Sequence, residues 1–391
     1  MGKNYTAMGL MSGTSMDGVD ASTIISDGDK GKIASIKNQY FEYDKDLYQK
    51  ITNLRDKITN SKDLKSFKND INLIEKEITL FHAEVVNEMV QLHPKFDIDL
   101  IGFHGQTIFH NANEKLSVQL GDGKLLSQLT KRKVVYNFRH NDLKNSGQGA
   151  PLTPIFHKNL VRNIDLNLLP VVVINIGGIS NATSVSNLNS SDLKNDKDYE
   201  LFAEDIGPGN CLIDEWIRKS SKYRYDKDGL IAKSGKVNEL ILNQAIDNFL
   251  HLDSFKNISL DIKDFDISFV RGLSLEDGAA TLTHLSAKLI EEGLINFMFK
   301  NYSLKKNILS HSSCLVSGGG RKNKYLINIL KKNLDVKELI LIDEHGIDGD
   351  FIESQAFAYL AIRSHLGLPI SFPTTTGCKE PITGGEVIKN F

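Results

Sequence analysis

The sequence predicts an α/β protein made of two related domains, and three glycine-rich turns predict it. Near the N-terminus the apolar run Met8-Gly9-Leu10-Met11 enters Ser12-Gly13-Thr14-Ser15-Met16-Asp17-Gly18, and Val19-Asp20-Ala21-Ser22-Thr23-Ile24-Ile25 leaves it. Two strands therefore flank a hydroxyl-rich loop. A second copy of the design follows the strand Val171-Val172-Val173-Ile174-Asn175-Ile176, with Gly177-Gly178-Ile179-Ser180-Asn181 turning into Ala182-Thr183. A third apolar strand, Cys314-Leu315-Val316-Ser317, ends in Gly318-Gly319-Gly320 before the helix-like Lys324-Tyr325-Leu326-Ile327-Asn328-Ile329-Leu330. Glycine lets the backbone come close to an anion, and free N–H groups with the hydroxyls of Ser12, Thr14 and Ser15 donate to its oxygens. Asp17 is placed to orient a water or a metal. One such loop alone is equally an ordinary hairpin. The repeat favours a pair of phosphate-gripping turns, one in each half, with bare backbone at the triple glycine for a flat adenine.

The other elements follow in chain order. Residues 44–95 read as helical, with Leu47, Ile51, Leu54, Ile58 and then Ile71, Ile74, Ile78, Phe81 at helical spacing. The Lys/Asp/Asn-rich part at 56–70 reads as a solvated connection between helices. Apolar runs at 97–103, 133–138, 171–176, 312–317 and 337–342 read as buried strands, and amphipathic helices are expected at 281–300, 324–334 and 351–366. Residues 187–199 read as a surface loop. No proline-rich linker marks a boundary, so the repeat sets it: 1–137 with 366–391 as the first domain, carrying the first phosphate loop, and 138–365 as the second, carrying the other two turns.

Composition agrees. The 391 residues are 40% hydrophobic and 25% charged, enough for two ordinary cores. A net charge of -2 gives no footprint for nucleic acid. Cys211, Cys314 and Cys378 are odd in number and far apart, which fits a reducing compartment with neither a disulfide framework nor a zinc site. There is no apolar run of membrane-spanning length and no leader-like N-terminus, so the expectation is a cytoplasmic protein without a membrane partner. Competing nucleotide motifs fail. Lys233-Ser234-Gly235-Lys236-Val237 lacks the glycine spacing and the following hydroxyl of a P-loop, no strand ends in Gly-x-Gly-x-x-Gly, and the protein-kinase set is missing.

The remaining polar residues cluster at strand ends. His104-Gly105-Gln106-Thr107 follows Leu100 to Phe103, and Arg139-His140-Asn141-Asp142 and Gly147-Gln148-Gly149-Ala150-Pro151-Leu152 follow the strand at Val134. Glu204-Asp205-Ile206-Gly207-Pro208-Gly209-Asn210 sets a carboxylate before a rigid turn that opens a helix. Each group also has a plain structural reading: His104 as a core histidine, Arg139 and Asp142 as an ion pair, Asp205 as a helix N-cap. Together they are what a polar sugar pocket beside a phosphoryl donor requires.

The three turns resemble those of the sugar kinase, heat-shock protein and actin superfamily, whose two related domains close on ATP. More specifically, Gly9-Leu-Met-Ser-Gly-Thr-Ser-Met-Asp-Gly-Val-Asp20, Gly102-Phe-His-Gly-Gln-Thr107, Gly147-Gln-Gly-Ala-Pro-Leu152, Asn175-Ile-Gly-Gly-Ile-Ser-Asn181, Asp205-Ile-Gly-Pro-Gly-Asn210, Asp228-Gly229 and Ser317-Gly-Gly-Gly320 stand in the order seen in the anhydro-N-acetylmuramic acid kinase family. The resemblance runs from residue 8 to about 377. It implies an actin-like ATPase fold with a duplicated mixed-sheet core and an interdomain cleft, and an enzyme using ATP and Mg²⁺. That enzyme opens the 1,6-anhydro ring of anhydro-N-acetylmuramic acid with water and phosphorylates O6, giving N-acetylmuramic acid 6-phosphate for cell-wall recycling.

The resemblance further implies Asp205 as catalytic base, and Gly13, Thr14, Ser15, Met16, Asp17, Gly18, Val19 and Asp20 as the ATP loop. Gly177, Gly178, Ser180 and Asn181 with Gly318, Gly319 and Gly320 complete the expected nucleotide contacts. His104, Gln106, Arg139, Gln148 and Glu353 are the expected sugar contacts, no metal ligand is named, and a homodimer is expected. Two departures stand out: Ser146 where a glycine usually precedes Gly147, and a long 187–199 segment. A kinase of the same superfamily acting on another sugar or a carboxylate, and a non-catalytic actin-like ATP-binding module, remain the alternatives.

Overall fold

The computed structural model describes residues 3–29, 31, 33–164, 170–186, 200–250, 260, 265–302 and 309–391. They fall into two compact units, Met1–Asn163 with Phe351–Phe391, and Ile164–Asp350.

The first unit is built on β1 (Tyr5–Ser12), β2 (Gly18–Ser26), β3 (Ala34–Glu42), β4 (Leu100–Asn111), β5 (Leu116–Leu120) and β6 (Lys133–Tyr136). β1, β2 and β3 form an antiparallel meander; β4 lies parallel to β1, and β6 parallel to β4. The order is β3-β2-β1-β4-β6, with β5 folded back on β4 and the C-terminal strand Glu386–Ile388 antiparallel to β6. β1 and β4 read as continuous apolar runs because helices cover both faces. Helices Lys45–Lys57 and Lys68–Leu92 bring Leu47, Ile51, Leu54, Ile74 and Ile78 into one core with Met8, Leu10, Ile101 and Phe103. The alternate residues of β1 and β4 meet the helix Ile352–His365. Gly9 and Gly102 are cross-strand partners, and a Cβ on either would strike a backbone carbonyl of that helix, Ser354 or Phe357. Glycine at both positions lets the helix backbone lie against the sheet.

The second unit repeats the plan. β7 (Val171–Ile176), β8 (Ile179–Ser186) and β9 (Glu200–Pro208) are an antiparallel meander, and β10 (Ser313–Ser317) and β11 (Glu338–Leu341) add in parallel in the order β9-β8-β7-β10-β11. The helix Leu275–Tyr302 packs on β9, with Gly293 under the Ile206 carbonyl, and Lys324–Asn333 follows β10. Strand order and strand sense match those of the first unit. Two copies of one mixed sheet are the duplicated core of the actin-like ATPase fold.

The expected strands at 97–103, 133–138, 171–176, 312–317 and 337–342 and the three expected helices are present with shifted ends. The 56–70 connection holds a short helical turn, Asp63–Ser66, whose aspartate accepts from Thr59 and Asn60. The domain limits differ from the expectation: residues 138–163 and 351–365 group with the first unit. The cause is packing, since the helix Ile352–His365 seats on β1 and β4 and Asn159 of the helix Pro154–Asn163 donates to the Tyr359 hydroxyl at 3.2 Å. The segment 187–199 lies outside the described residues.

Candidate functional site

In the first unit the loop between β1 and β2 spans residues 13–17. Met16 takes a left-handed φ of +58°, its amide bonds back to the Gly13 carbonyl at 3.2 Å, and its side chain is buried. That tight turn leaves Thr14 and Ser15 exposed at its tip, while Ser15 Oγ donates to Asp17 Oδ1 at 2.6 Å. The carboxylate of Asp17 helps hold the neighbouring Tyr40 phenol protonated, second to the effect of burial. A Cβ on Gly13 would find room, so packing does not demand glycine there; on Gly18 it would strike the Phe41 carbonyl of β3. Gly18, Val19 and Asp20 belong to β2, and the Val19 side chain is fully buried. Of the expected ATP loop, residues 13–17 offer groups to a ligand, and Gly18 and the side chains of Met16 and Val19 serve the fold.

A buried chain of hydrogen bonds anchors this loop. Ile78 O can only accept, so His82 carries its proton on Nδ1 (2.8 Å) and presents a bare Nε2 to the hydroxyl of Ser12 at 3.4 Å. Ser12 in turn pairs with Tyr43 OH at 2.9 Å. Burial lowers the His82 pKa to about 4.

β4 runs on to Asn111 instead of ending at Phe103 as expected, so His104 and Gln106 lie inside the strand; His104 Nδ1 donates to Gly105 O at 2.7 Å, and its Nε2 accepts from Arg139 Nη2 at 2.9 Å. Burial, then the Arg139 charge, keep the ring neutral by holding its pKa well below 6.5. Arg139 Nη1 also donates to Gly149 O at 2.8 Å, and Asp142 Oδ2 accepts the Gly149 amide at 2.7 Å. Arg139 and Asp142 thus grip one glycine from its two polar ends. Asp142 Oδ1 takes the Thr376 hydroxyl at 2.7 Å, and the Gln148 amide bonds to Thr376 O at 2.8 Å. Nothing in the sequence signalled Thr376, which is remote from the loop it holds. Ser146 adopts φ +70°, the left-handed region where a glycine costs least. Gln106 Nε2 donates to Gly13 O at 3.0 Å, while its Oε1 is buried with no partner among the described residues. Glu353, half-buried, sits in the first turn of the helix Ile352–His365.

In the second unit the Gly177-Gly178 turn is stitched to the segment after β9. Gly209 N and Cys211 N donate to Gly178 O at 2.8 and 3.2 Å, and Asn210 N to Gly177 O at 2.8 Å. A Cβ on Gly209 would hit the Gly177 carbonyl. Asp205 lies within β9, directly across the ladder from Asn181, and its Oδ2 accepts the Leu260 amide at 2.7 Å. The helix after it begins at Cys211 with Asn210 as N-cap, so the N-cap reading of Asp205 is set aside. Ser180 Oγ and Asn181 Oδ1 are buried without a partner among the described residues. At the triple glycine, Gly318 has φ +79° and Gly320 packs on Ile176, whereas Gly319 faces open space.

Among the described residues no group of three or more His, Cys, Asp or Glu is arranged to hold a metal ion, and no helix is long and apolar enough to cross a membrane. Cys211, Cys314 and Cys378 are free and buried.

Twin sheets with a Gly/Ser turn after the first strand of each define a protein with an actin-like fold. The chain belongs to the anhydro-N-acetylmuramic acid kinase family, whose model matches residues 5–390. It is 51% identical over 392 residues to the anhydro-N-acetylmuramic acid kinase of Pelagibacter ubique, covering 100% of both chains. It is 38% identical to that of Brucella canis, covering 98% of each. Among solved structures it is similar to gluconate kinase from Lactobacillus acidophilus, with a TM-score of 0.44 and 11% identity over 93% of this chain and 90% of the other.

Proposed function

We propose that this protein uses ATP to phosphorylate O6 of 1,6-anhydro-N-acetylmuramic acid while water opens the anhydro ring, giving N-acetylmuramic acid 6-phosphate in peptidoglycan recycling. The observation that carries the reading is Asp205, a half-buried carboxylate in a rigid strand, oriented by the Leu260 amide and facing Asn181. In this mechanism Asp205 takes a proton from a water whose oxygen bonds to C1. The C1–O6 bond breaks, O6 attacks the γ-phosphorus and ADP leaves. Phosphate captures the departing oxygen, so no general acid is needed there.

Phosphoryl transfer is mostly positioning and charge neutralisation. Exposed Thr14 and Ser15 with Asp17 serve the phosphates in the first unit, and the Gly177-Gly178 turn with Ser180 does so in the second. Orphaned buried polar atoms support this, because a buried group without a partner costs about 1–3 kcal/mol unless a ligand or water meets it. The bare Oε1 of Gln106 needs a donor, which phosphate oxygens lack and a sugar O–H or N–H supplies. Arg139, Gln148 and Glu353 line the sugar side in this reading, and neutral His104, buried with both ring nitrogens occupied, backs Arg139. In this reading Mg²⁺ would be held chiefly by ATP phosphates and water, with Asp17 as the loop's own carboxylate. Bound there, Mg²⁺ would neutralise charge on the transferring phosphate. A homodimeric, cytoplasmic enzyme completes the reading.

The test is ADP release with and without substrates. Turnover that requires the intact anhydro sugar supports the proposal. Sugar-independent hydrolysis points to an ATP-binding module, and equal turnover of open sugars to an ordinary sugar kinase.

A further inference from the structure

Arg321 directly follows the triple-glycine turn, yet only 5% of it is exposed. Its Nε and Nη2 meet both oxygens of Asp343 at 2.7 and 3.0 Å. Nη1 donates to Asp350 Oδ1 at 2.6 Å and to the Gly318 carbonyl at 3.0 Å, and Asp348 stands 3.5 Å from Nη2. Lys322 joins through Asp350, and Gly349 is packed so tightly on the guanidinium that a Cβ would collide with it. One rigid planar fork thus ties the turn's first carbonyl to the segment 343–350.

The three glycines sort by what surrounds them. Gly318 needs its left-handed backbone, where a Cβ would also press on Ile176 O at 2.7 Å, and Gly320 is pressed on the Ile176 side chain. Packing explains both. At Gly319 a Cβ would meet nothing within 4 Å, so bare backbone faces open space with no structural need for glycine.

We propose that Arg321 is a positioning residue for the nucleotide: it fixes the triple-glycine turn so that a planar purine lies against Gly319, and it sets ATP affinity without touching the transferred phosphate. The inference rests on the turn being the adenosine site. Three consecutive glycines have the largest conformational freedom a chain can have, and an unanchored turn must be ordered each time a ligand binds. The guanidinium does that ordering beforehand. Ordering even one residue at binding is worth about a tenfold change in affinity.

The experiment compares Arg321→Gln, the milder Asp343→Asn and, separately, Gly319→Ala. Each is assayed for KM of ATP, KM of the sugar, kcat, equilibrium binding of a non-hydrolysable ATP analogue, and Tm. The proposal expects Arg321→Gln to weaken ATP binding about tenfold and Asp343→Asn several-fold, with kcat at saturating ATP and sugar KM within about twofold. If Arg321→Gln does not fold, Asp343→Asn decides. A folded Asp343→Asn protein with unchanged ATP affinity overturns the proposal, as does a fall in kcat and sugar binding alongside Tm, which is the mark of a merely structural residue. Gly319→Ala tests the underlying reading by itself: a lowered Tm-independent ATP affinity supports it, and normal ATP affinity removes the turn as the adenosine site whatever the Arg321 variant does.

Discussion

Replacing Asp205 by asparagine isolates basicity from shape. The Asp205 carboxylate accepts the Leu260 amide at 2.7 Å, and an asparagine oxygen accepts the same bond. What weakens is its charge assistance, a loss on the order of 1 kcal/mol of stability. What disappears is a proton acceptor for water. A general base contributes about 10²–10⁴ in rate, which at ~1.36 kcal/mol per decade is about 2.7–5.4 kcal/mol of barrier. Asp205→Asn should therefore lose at least about a hundredfold in kcat, with Tm down by only a few degrees and sugar and ATP affinity nearly kept. Turnover is read from ADP release at saturating substrates, and affinity from calorimetry with each substrate alone. A variant within a few-fold of native turnover would refute the reasoning, because Asp205 would then be a strand residue with a structural hydrogen bond.

Three further outcomes follow from the geometry. Ser146→Gly relieves a left-handed serine at φ +70°, and should raise stability by about 1 kcal/mol in chemical denaturation; an unchanged or lowered midpoint contradicts the strain. His82, His104 and His157 are buried and neutral, with pKa values lowered by burial, to about 4 for His82 and about 3 for His157. Unfolded histidines protonate near 6.5 while these folded ones do not, so stability is intact above about pH 6.5 and falls as pH drops towards 4, by up to about 1.4 kcal/mol per pH unit for each ring. Denaturation midpoints that stay level from pH 7 to 5 would contradict this. Gln106→Leu removes both the bond to Gly13 and the acceptor awaiting a donor, and sugar KM should rise about tenfold while a thermal scan shows a folded protein; an unaltered sugar KM removes Gln106 from the sugar contacts.

The twin sheets were legible because each opens on an apolar strand, a Gly/Ser turn and a returning strand, a pattern that survives in one dimension. β3 was not foreseen: Ala34–Glu42 is half-exposed and carries Lys, Asn and Gln, so it owes its strand to pairing with β2. The helix Ile352–His365 was expected in the second domain but groups with the first unit, because its seat depends on Gly9 and Gly102 standing side by side, which no local pattern records. Asp205 stood out in the sequence through the Gly-Pro-Gly stretch behind it, but that stretch is not the expected turn: Gly207 and Pro208 continue β9, and Asp205 lies inside the strand. Within the first loop the motif merged two jobs. Thr14 and Ser15 face outward, whereas Gly18 is glycine because β3 passes close by. Thr376 escaped notice because it holds a loop far from it in sequence, and the anchoring of Arg321 because its acidic partners Asp343 and Asp350 come to it only in the folded chain.

In the proposed reaction one carboxylate couples water attack at C1 to phosphorylation at O6. Mass spectrometry of the product formed from Mg-ATP and the anhydro sugar in ¹⁸O-water tests it most directly. The product should be heavier than substrate by one water and one phosphoryl group, labelled at C1 and unlabelled in the phosphate ester, with no ring opening when ATP is omitted. Label in the phosphate, ring opening without ATP, or efficient phosphorylation of N-acetylmuramic acid itself would contradict it.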